Sequence, residues 1–522
     1  MKAPYKVLFS NDTTNIHCTS PYHQENEPFR LEMLEATVDE TAGTGIQVHI
    51  LQPGCGWVPW WRSEVYPAPE HYRWWSRTYN CEPDDFGQYM LAGGDMVRVF
   101  IDRCRVKDLV PFISLRLNDH HGHEYVDFPP NPAGEKDDKR MISAPNDRVP
   151  SWTGHCLSRF MKENQKKYEL PGWAKVLDWA FPEVRRQKMA FIEELCGNYD
   201  LDGFELDFMR HVQFFRNEKP VSERMAIMTD FVRQVREVLD RTSNPGQRRW
   251  LGVRVPCHLS AHAGLGIDLP AFAQAGVDMV TLSSFFFTEQ QTDLPIVCRM
   301  LPETAVYLEV TYTSMAGPVV RAYNHVVRRM TDEQFYTAAH LAYARGAVGI
   351  CAFNFVYYRP HHHDPELGPF HEPPFHIFKH IGDPAWVARQ PQHYFLGKVW
   401  ELPEGAVRPL PKEFAGQSTP FALDMAPPAD GWKKGGRLRI QSPESLGETV
   451  WRASFNGVEL KETADRSEPY SNPYPPLLGT PEHHRAWIVP VTVLKDGINT
   501  IEITMTKGEQ PATLVFLDVA VE

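Results

Sequence analysis

Short apolar runs alternate with longer amphipathic segments over about the first 390 residues of this chain. Eight of these runs have the length and composition of buried β-strands. They are KVLFSND (6–12), IQVHILQP (46–53), LVPFISLRLND (109–119), DGFELDFMR (202–210), LGVRVPCH (251–258), DMVTLSSF (278–285), AVYLEVTY (305–312) and AVGICAFNF (347–355). The segments between them have a helical period, most clearly at 183–199, 222–240 and 331–346. Two of these three carry Ser or Thr at the expected N-cap, and the last ends at Gly346.

Eight repeats of strand and helix predict an α/β protein with a closed (β/α)8 barrel, known as a TIM barrel, and generous insertions. A doubly wound open sheet would show the same alternation. A nucleotide-binding open sheet would carry a glycine-rich turn after its first strand, whereas here SNDTTN follows. The barrel is therefore favoured.

The pattern changes after about residue 405, where short alternating segments are separated by turn residues such as Asn456-Gly457 and Asp496-Gly497. This pattern of short alternating segments and turns predicts a small antiparallel β-sandwich. We expect a catalytic barrel over residues 1–395 and a C-terminal sandwich over 405–522. The sandwich either packs on the barrel and stabilises it or binds sugar.

Composition and charge exclude several classes of partner. The 522 residues carry a formal charge of −12 without any Lys/Arg block, which argues against a nucleic-acid partner. No apolar run reaches the roughly 18 residues needed to span a bilayer. Nine cysteines, an odd number set in apolar segments, indicate reduced thiols. The opening MKAPYKVLFSND has no signal-peptide pattern, so we expect a cytoplasmic protein, although a trimmed secreted chain would look the same. Assembly into a homo-oligomer stays open.

Carboxylates interrupt the apolar pattern of the fourth strand. Side chains alternate along a strand, so Glu205, Asp207 and Met209 share one face. The seventh strand adds Glu309 from across the expected barrel. A buried carboxylate is costly unless it is paired, protonated or in use. A structural ion pair with an arginine is one explanation, and the paired acids of glycosidic cleavage are the favoured one.

The fourth strand and the residues after it, DGFELDFMRH, resemble a motif of barrel glycoside hydrolases. In the α-amylase family the motif is D-G-F-R-x-D-x-x-x-H, which implies a nucleophile at Asp207 and a substrate contact at His211. Glu205 replaces the arginine of that motif. The family 18 chitinase motif D-G-x-D-x-D-x-E would place its catalytic glutamate at Met209, which argues against that mechanism. The first 390 residues also resemble uncharacterised bacterial glycosyl-hydrolase-like barrels.

The expected mechanism places Asp207 as nucleophile or base and Glu309 as proton donor, with Glu205 tuning Asp207 or belonging to the pair. Polar side chains at the other strand ends would hold the hydroxyl groups of a sugar, and the arginines would also suit a uronic or sulfated one. These expected substrate-binding residues are Asn11, Asp12, Arg116, Asn118, Asp119, His120, Arg210, His211, Arg254, His258, Asn354 and Tyr357.

The insertion after the second strand holds five tryptophans. Trp57, Trp60 and Trp61 lie nearest the strand end and would stack on sugar rings, unless the insertion needs them for a small core of its own.

Two histidine groups, NDHHGHE (118–124) and HHHD (361–364), lack the helical spacing of a zinc-binding motif, so no metal and no cofactor is expected.

The sequence thus predicts a glycoside hydrolase with an oligosaccharide or glycoside substrate. A metal-assisted hydrolase or a polysaccharide lyase, with His258 or His120 as its base, is one alternative. A sugar-binding barrel without catalytic activity is another.

Overall fold

The computed structural model describes residues 2–12, 16, 21, 29–119, 121–122, 127, 156–172, 175–316, 327–359, 372–399, 408–472 and 479–522. All eight predicted strands are present within it and form one closed parallel barrel. They are β1 (Val7–Asn11), β2 (Val48–Leu51), β3 (Val110–Arg116), β4 (Gly203–Asp207), β5 (Trp250–Pro256), β6 (Met279–Ser283), β7 (Ala305–Thr311) and β8 (Gly349–Phe353).

Closure decides between the two predicted architectures. Strand β1 pairs in parallel with both β2 and β8, and each strand from β2 to β7 pairs with the barrel strands before and after it in sequence. An open doubly wound sheet would leave two edge strands unpaired. The (β/α)8 barrel is therefore confirmed.

Helices surround the barrel between its strands. The described helices are α1 (Leu31–Asp39), α2 (Ala68–Tyr79), α3 (Asp85–Leu91), α4 (Met96–Val106), α5 (Arg159–Tyr168), α6 (Pro182–Asn198), α7 (Val221–Thr242), α8 (His262–Leu265), α9 (Leu269–Gln274), α10 (Leu294–Met300), α11 (Asp332–Ala344), α12 (Phe378–Ile381) and α13 (Pro384–Val387). Helices α6, α7 and α11 confirm the three predicted ones. Thr331 and Gln334 form a capping box at α11, whereas Pro220 precedes α7, so that Ser222 lies inside that helix.

The N-terminal half of the barrel interior is apolar. Leu8, Val48, Phe112, Met279 and Tyr307 belong to one buried cluster there. The ring of Phe112 fills the space beside Gly203, where a Cβ atom would lie only 2.4 Å from it. This tight packing confines polar inward-facing side chains to the C-terminal half, as in other barrels of this kind.

The C-terminal region is an antiparallel β-sandwich, as predicted. A five-stranded sheet has the order β9-β19-β12-β16-β15, and it is accompanied by a four-stranded sheet, β11-β17-β13-β14, and the pair β10-β18. The strands are β9 (Gln392–Gly397), β10 (Lys412–Phe414), β11 (Ser418–Met425), β12 (Gly436–Gln441), β13 (Val450–Phe455), β14 (Val458–Glu459), β15 (Lys461–Thr463), β16 (His484–Val489), β17 (Gly497–Lys507), β18 (Ala512–Leu514) and β19 (Phe516–Val521).

Strand β9 bears on the predicted division of the chain. It lies at 392–397 and pairs along its length with β19, so the five-stranded sheet includes residues before 395. The boundary between 395 and 405 stays a prediction.

Polar contacts hold the sandwich against the barrel. Arg345, which follows α11, pairs with Asp424 at 2.6 Å and with Asp496 at 2.8 Å. Gln290, on the barrel side, donates to the carbonyl of His393 at 3.1 Å. These contacts agree with a packing role for the sandwich.

Among the described helices, none has both the length and the apolar composition needed to cross a membrane. The eight cysteines within the described residues are all free thiols.

Candidate active site

Neighbouring strands place the polar side chains of the barrel mouth in two layers. The register sets Ser114 of β3 beside Glu205 of β4, and, one step nearer the C-terminal ends, Arg116 beside Asp207 and Asp207 beside Arg254. Side chains two positions apart on a strand face the same way. Glu205 therefore lies deeper in the barrel than Asp207.

Arg254 joins the two carboxylates that the sequence singled out. Its Nε and Nη2 atoms donate to the two oxygens of Glu309 at 2.5 and 2.8 Å, and its Nη1 donates to Asp207 at 3.1 Å. The guanidinium also lies 3.9 Å from the ring centroid of Phe353. One buried cation thus bridges acids from opposite sides of the barrel.

Asp207 is fully buried and accepts hydrogen bonds at both oxygens. The backbone N–H of Met209 donates to Oδ1 at 2.7 Å, and Nε2 of Gln52 donates to Oδ2 at 3.0 Å. Arg116 adds an ion pair, with its Nε 3.9 Å from Oδ2. The backbone N–H of Met209, the amide of Gln52 and two guanidinium groups thus surround the oxygens of this side chain.

Glu309 is buried beside Arg254 and Ser283. Burial raises its pKa, although Arg254 and the hydroxyl of Ser283, which donates to Oε1 at 2.6 Å, oppose the shift. Asp207, Arg254 and Glu309 together carry one excess negative charge when both acids are ionised. A low-dielectric interior therefore favours the uptake of one proton by this trio.

Charges of alternating sign continue outward from Asp207. Arg116 pairs with Asp12 at 2.8 Å and with Asp119 at 3.1 Å. Burial opposes the negative charge of Asp119, but His121 and Arg116 outweigh burial and hold its pKa well below the usual value. Burial opposes a charge on His121 as well, and the carboxylate of Asp119 overcomes this and raises its pKa. These side chains form a charge-balanced network at the mouth.

Glu205 is kept neutral beneath this network. Burial first, and the nearby charge of Asp207 second, raise its pKa from 4.5 to about 8, while Ser114 donates to it at 2.8 Å. At neutral pH this side chain is therefore a carboxylic acid.

We expect Glu205→Gln to flatten the pH dependence of stability. Between pH 5 and 8 the folded protein holds a proton on Glu205 that the unfolded chain has released, so this group stabilises the fold less as the pH rises. The amide imitates the protonated acid, so the variant should gain up to a few kcal/mol relative to wild type between pH 5 and pH 8. Urea unfolding at both pH values measures this difference. The exposed Glu163→Gln is the control, and equal slopes for Glu205→Gln and wild type would contradict the prediction.

Several polar atoms at the barrel mouth have no hydrogen-bond partner among the residues that the structure describes. They are Oγ of Ser10, Oε1 of Gln52 and both amide atoms of Asn354, all buried. These residues lie at the C-terminal ends of β1, β2 and β8, which are adjacent strands. Buried polar atoms need a partner, and a hydroxyl-rich ligand or water would supply one.

Three non-glycine residues after barrel strands adopt left-handed backbone conformations. They are His211, Phe285 and Asn354, with φ of 48°, 64° and 49°. Such conformations cost free energy and concentrate at functional sites. They mark the ends of β4, β6 and β8 as one shaped surface.

The predicted tryptophans are buried, with exposed fractions of 2–3%. Trp57 packs beneath Nζ of Lys188, Trp60 against the ring of Phe86, and Trp61 donates from Nε1 to Glu194 at 2.7 Å. This arrangement favours a small core within the insertion over stacking on a sugar ring.

The other predicted residues have varied surroundings. Asn118 donates to the carbonyls of Leu177 and Gln213 and anchors a loop. Tyr357 is buried against the ring of Tyr312. Asn11 ends β1, where only its main chain is described. His120 and the segment 361–364 lie outside the described residues.

A second polar group lies at the ends of β5 and β6. His258 contacts Glu289 at 2.8 Å, and Arg408, from the segment that leads into the sandwich, pairs with Glu289 at 2.6 Å. The hydroxyl of Ser284 also donates to Glu289. His258 is thus joined to an acid and an arginine that the sequence did not single out.

Sequence analysis missed further residues at the mouth: Gln52, Ser283, His121, Glu289 and Arg408. Gln52 and Ser283 follow or end predicted strands, so the strand-end criterion could have found them. His121 lies in a histidine group that was noticed. Arg408 lies more than 50 positions after the last barrel strand, and no local signal places it at the mouth.

No protein-family model and no curated protein sequence matches this chain. Solved structures similar to it include the PgaB (BpsB) glycoside hydrolase domain from Bordetella bronchiseptica, with 11% identity, a TM-score of 0.39 and coverage of 69% of this chain and 97% of that one. A putative α-L-fucosidase from Bacteroides thetaiotaomicron has 11% identity, a TM-score of 0.34 and coverage of 98% and 94%. A Streptomyces plicatus β-hexosaminidase has 11% identity, a TM-score of 0.38 and coverage of 72% and 63%. At these scores any functional conclusion has to come from the residues of this chain.

Proposed function

We propose that this protein is a glycoside hydrolase that acts on an oligosaccharide or a smaller glycoside. The observation that carries the proposal is the position of Asp207 at the C-terminal end of β4, where the N–H of Met209 and the amide of Gln52 donate to it, while Oε1 of Gln52 has no partner among the described residues. Active sites of (β/α)8 enzymes are built at this end of the strands.

The two acids differ in the way that glycosidic cleavage requires. Asp207 is saturated with donors, which suits a nucleophile or a base, whereas burial raises the pKa of Glu309, which suits a proton donor. Because Arg254 contacts both, a proton on Glu309 leaves the guanidinium to stabilise Asp207. In the cleavage step, Glu309 would protonate the leaving oxygen while Asp207 attacks the anomeric carbon or activates water.

Substrate hydroxyl groups would occupy the side of the mouth formed by β8, β1 and β2. There Asn354 offers both a donor and an acceptor, and Gln52 offers Oε1 while its amide nitrogen stays on Asp207. A hydroxyl bound by Gln52 would therefore lie next to the reacting carboxylate, which positions a sugar ring for reaction.

An anionic sugar, uronic or sulfated, is the substrate class that the arginines favour. Arg116 and Arg254 each pair with two carboxylates of the protein at 3.1 Å or less. Arg210 is half-buried, follows β4, and has a buried Nε without a partner. Guanidinium groups bind carboxylate and sulfate through paired N–H groups, and Arg210 is placed to do so.

The direct test is a panel of 4-nitrophenyl glycosides, both neutral and anionic, together with oligosaccharides carrying uronic or sulfated residues. We expect turnover within the panel and a preference for the anionic members. The variant Arg210→Gln should raise KM for anionic substrates by roughly tenfold or more while leaving neutral ones unaffected. The absence of cleavage across the panel, with the protein folded, would contradict a hydrolase.

A sugar-binding barrel without turnover is the second candidate, and one observation favours it. Both oxygens of Glu309 already accept from Arg254, and both oxygens of Asp207 accept from protein donors. Acids occupied in this way can serve structure alone. Calorimetry that detects oligosaccharide binding, combined with chromatography that detects no product, would establish this alternative.

A further inference from the structure

A separate group of ligand-type side chains lies where the loops after β2 and β3 meet. It consists of Cys55, Asp119, His121 and Cys156. The sulfur of Cys55, a carboxylate oxygen of Asp119 and a ring nitrogen of His121 all lie within 4.8 Å of one another. The thiol of Cys156 is in hydrogen-bonding contact with the thiol of Cys55. Three ligand-type side chains thus lie together, and a fourth, Cys156, adjoins them through Cys55.

We propose that this cluster, the Cys55–Cys156 cluster, is a structural zinc site. Two sulfurs, one imidazole and one carboxylate are ligands that zinc accepts, and four protein ligands make a closed tetrahedral site. Zinc bonds of about 2.0–2.3 Å separate the ligand atoms of one ion by roughly 3.3–3.8 Å. The ligand atoms of Cys55, Asp119 and His121 lie within 4.8 Å of one another, so these three need only small movements to reach that spacing, and Cys156 would complete the site by turning from Cys55 to the ion.

The charges around the cluster suit a zinc–thiolate complex. Zinc with two thiolates, one carboxylate and a neutral imidazole carries a net charge of −1. Two cations lie beside this position: Arg116 is 3.1 Å from Asp119, and Arg210 is 2.9 Å from Nε2 of His121. These cations compensate the excess negative charge.

Zinc binding would exchange protons for metal bonds. Burial keeps the thiol of Cys55 protonated when no metal is bound, because it raises the pKa of that group. Zinc takes up two thiolates and a neutral imidazole, so two thiol protons and the imidazolium proton of His121 leave for solvent. The hydrogen bond between Nδ1 of His121 and Oδ1 of Asp119, now 2.5 Å, would open as both groups turn to the ion. The other oxygen of Asp119 stays on Arg116.

The four proposed ligands come from two separate loops, so a zinc ion would hold these loops together. His121 and Cys156 lie about 35 positions apart in sequence, and closing a segment of that length costs chain entropy that a metal clip offsets. Cys55 comes from the preceding loop. Gly56 permits the approach, since a Cβ there would lie 3.3 Å from the carbonyl of Asp119. Zinc would therefore clip two loops together beside Arg116.

A second cluster of ligand-type side chains in the described residues serves as a control for the zinc site. Cys257, His258 and Glu289 also lie within 4.8 Å of one another. This group has one sulfur and three ligands, and both oxygens of Glu289 are taken, one by Arg408 and Ser284 and the other by His258. We expect no zinc there, so Cys257→Ser is the control variant.

The test is the zinc content of the full chain, purified under reducing conditions without a metal-affinity resin. Mass spectrometry of the elements should find about one zinc per chain in wild type and in Cys257→Ser, and little in Cys55→Ser or Cys156→Ser. Cobalt reconstitution should give thiolate-to-metal charge-transfer absorption only in the first two proteins.

A milder variant keeps the test decisive if the cysteine variants fail to fold. His121→Gln retains both thiols and should lose zinc to a chromophoric chelator at a concentration at least about tenfold lower than wild type does. Wild type without zinc after reconstitution, zinc content unchanged in Cys55→Ser, or a Cys55–Cys156 disulfide would each overturn the proposal. None of these measurements depends on glycosidase activity.

Discussion

Asp207→Asn should lower kcat/KM on any substrate that the panel identifies by at least about 10³-fold, while the protein stays folded. The loss follows because the amide cannot act as nucleophile or base. The fold should persist because Gln52 can rotate its amide and present Oε1, which now lacks a partner, to the new NH₂ group. Arg254 would keep its bidentate contact with Glu309.

The control for this variant is Asp278→Asn at the opposite end of the barrel. Asp278 is likewise buried and paired with arginines, Arg248 at 2.6 Å and Arg236 at 3.3 Å, but it precedes β6. Its substitution should cost stability and leave kcat unchanged. Initial rates and thermal unfolding of both variants are the measurements. Activity above a tenth of wild type in Asp207→Asn would remove Asp207 from the chemistry.

Arg254→Leu should be the most destabilising single change at the mouth. It would leave Asp207 and Glu309 buried without their shared cation, and breaking a buried ion pair from one side costs about 3–5 kcal/mol. The variant should be less impaired at pH 5 than at pH 8, because both acids escape the penalty by taking up protons. Urea unfolding at the two pH values measures both effects.

Two controls separate charge burial from loss of the side chain as such. Arg159→Leu removes an exposed arginine paired with Glu163 and should cost at most about 1 kcal/mol. Adding Glu309→Gln to Arg254→Leu removes one stranded carboxylate and should recover part of the lost stability. A loss below about 1 kcal/mol for Arg254→Leu alone would show that the carboxylates do not depend on it.

The barrel could be predicted from sequence because its central strands are buried on both faces. Such strands are continuous apolar runs with turn residues at their ends, and each of the eight has that form. The sandwich was predicted less completely. Strand β9 follows the last barrel helices without a change in the pattern of apolar and polar residues. Strands β10 and β11 are half-exposed, so none of these three strands stood out in the sequence.

The site could be predicted only as a set of residue types at strand ends. Glu205, Asp207 and Glu309 interrupt apolar strands, and that interruption is visible in the sequence. Which guanidinium each acid contacts is decided by strand register and barrel closure, which join positions up to 55 residues apart. Sequence left Arg254 open as a substrate contact or as one of three arginines that could pair with the acids, and the structure shows it bound to both acids.

Ion pairing also changes the effect on stability that we expect from a substitution at these acids. From sequence alone, an amide at Asp207 or Glu309 looks neutral for folding. In the structure each acid offsets the charge of Arg254, so stability and chemistry are coupled at these positions. Measurements of activity at this site need a stability measurement beside them.

The ion pair of Arg408 with Glu289 limits where the chain can be cut if the barrel and the sandwich are to be produced separately or exchanged. A barrel produced alone, cut before this arginine, would present Glu289 and His258 without their countercharge at the rim of the pocket. A hybrid that grafts a foreign module onto the barrel would have the same defect unless the graft point lies downstream of Arg408. Arg408 therefore belongs to the polar group at the ends of β5 and β6, and a shortened or hybrid protein should retain it.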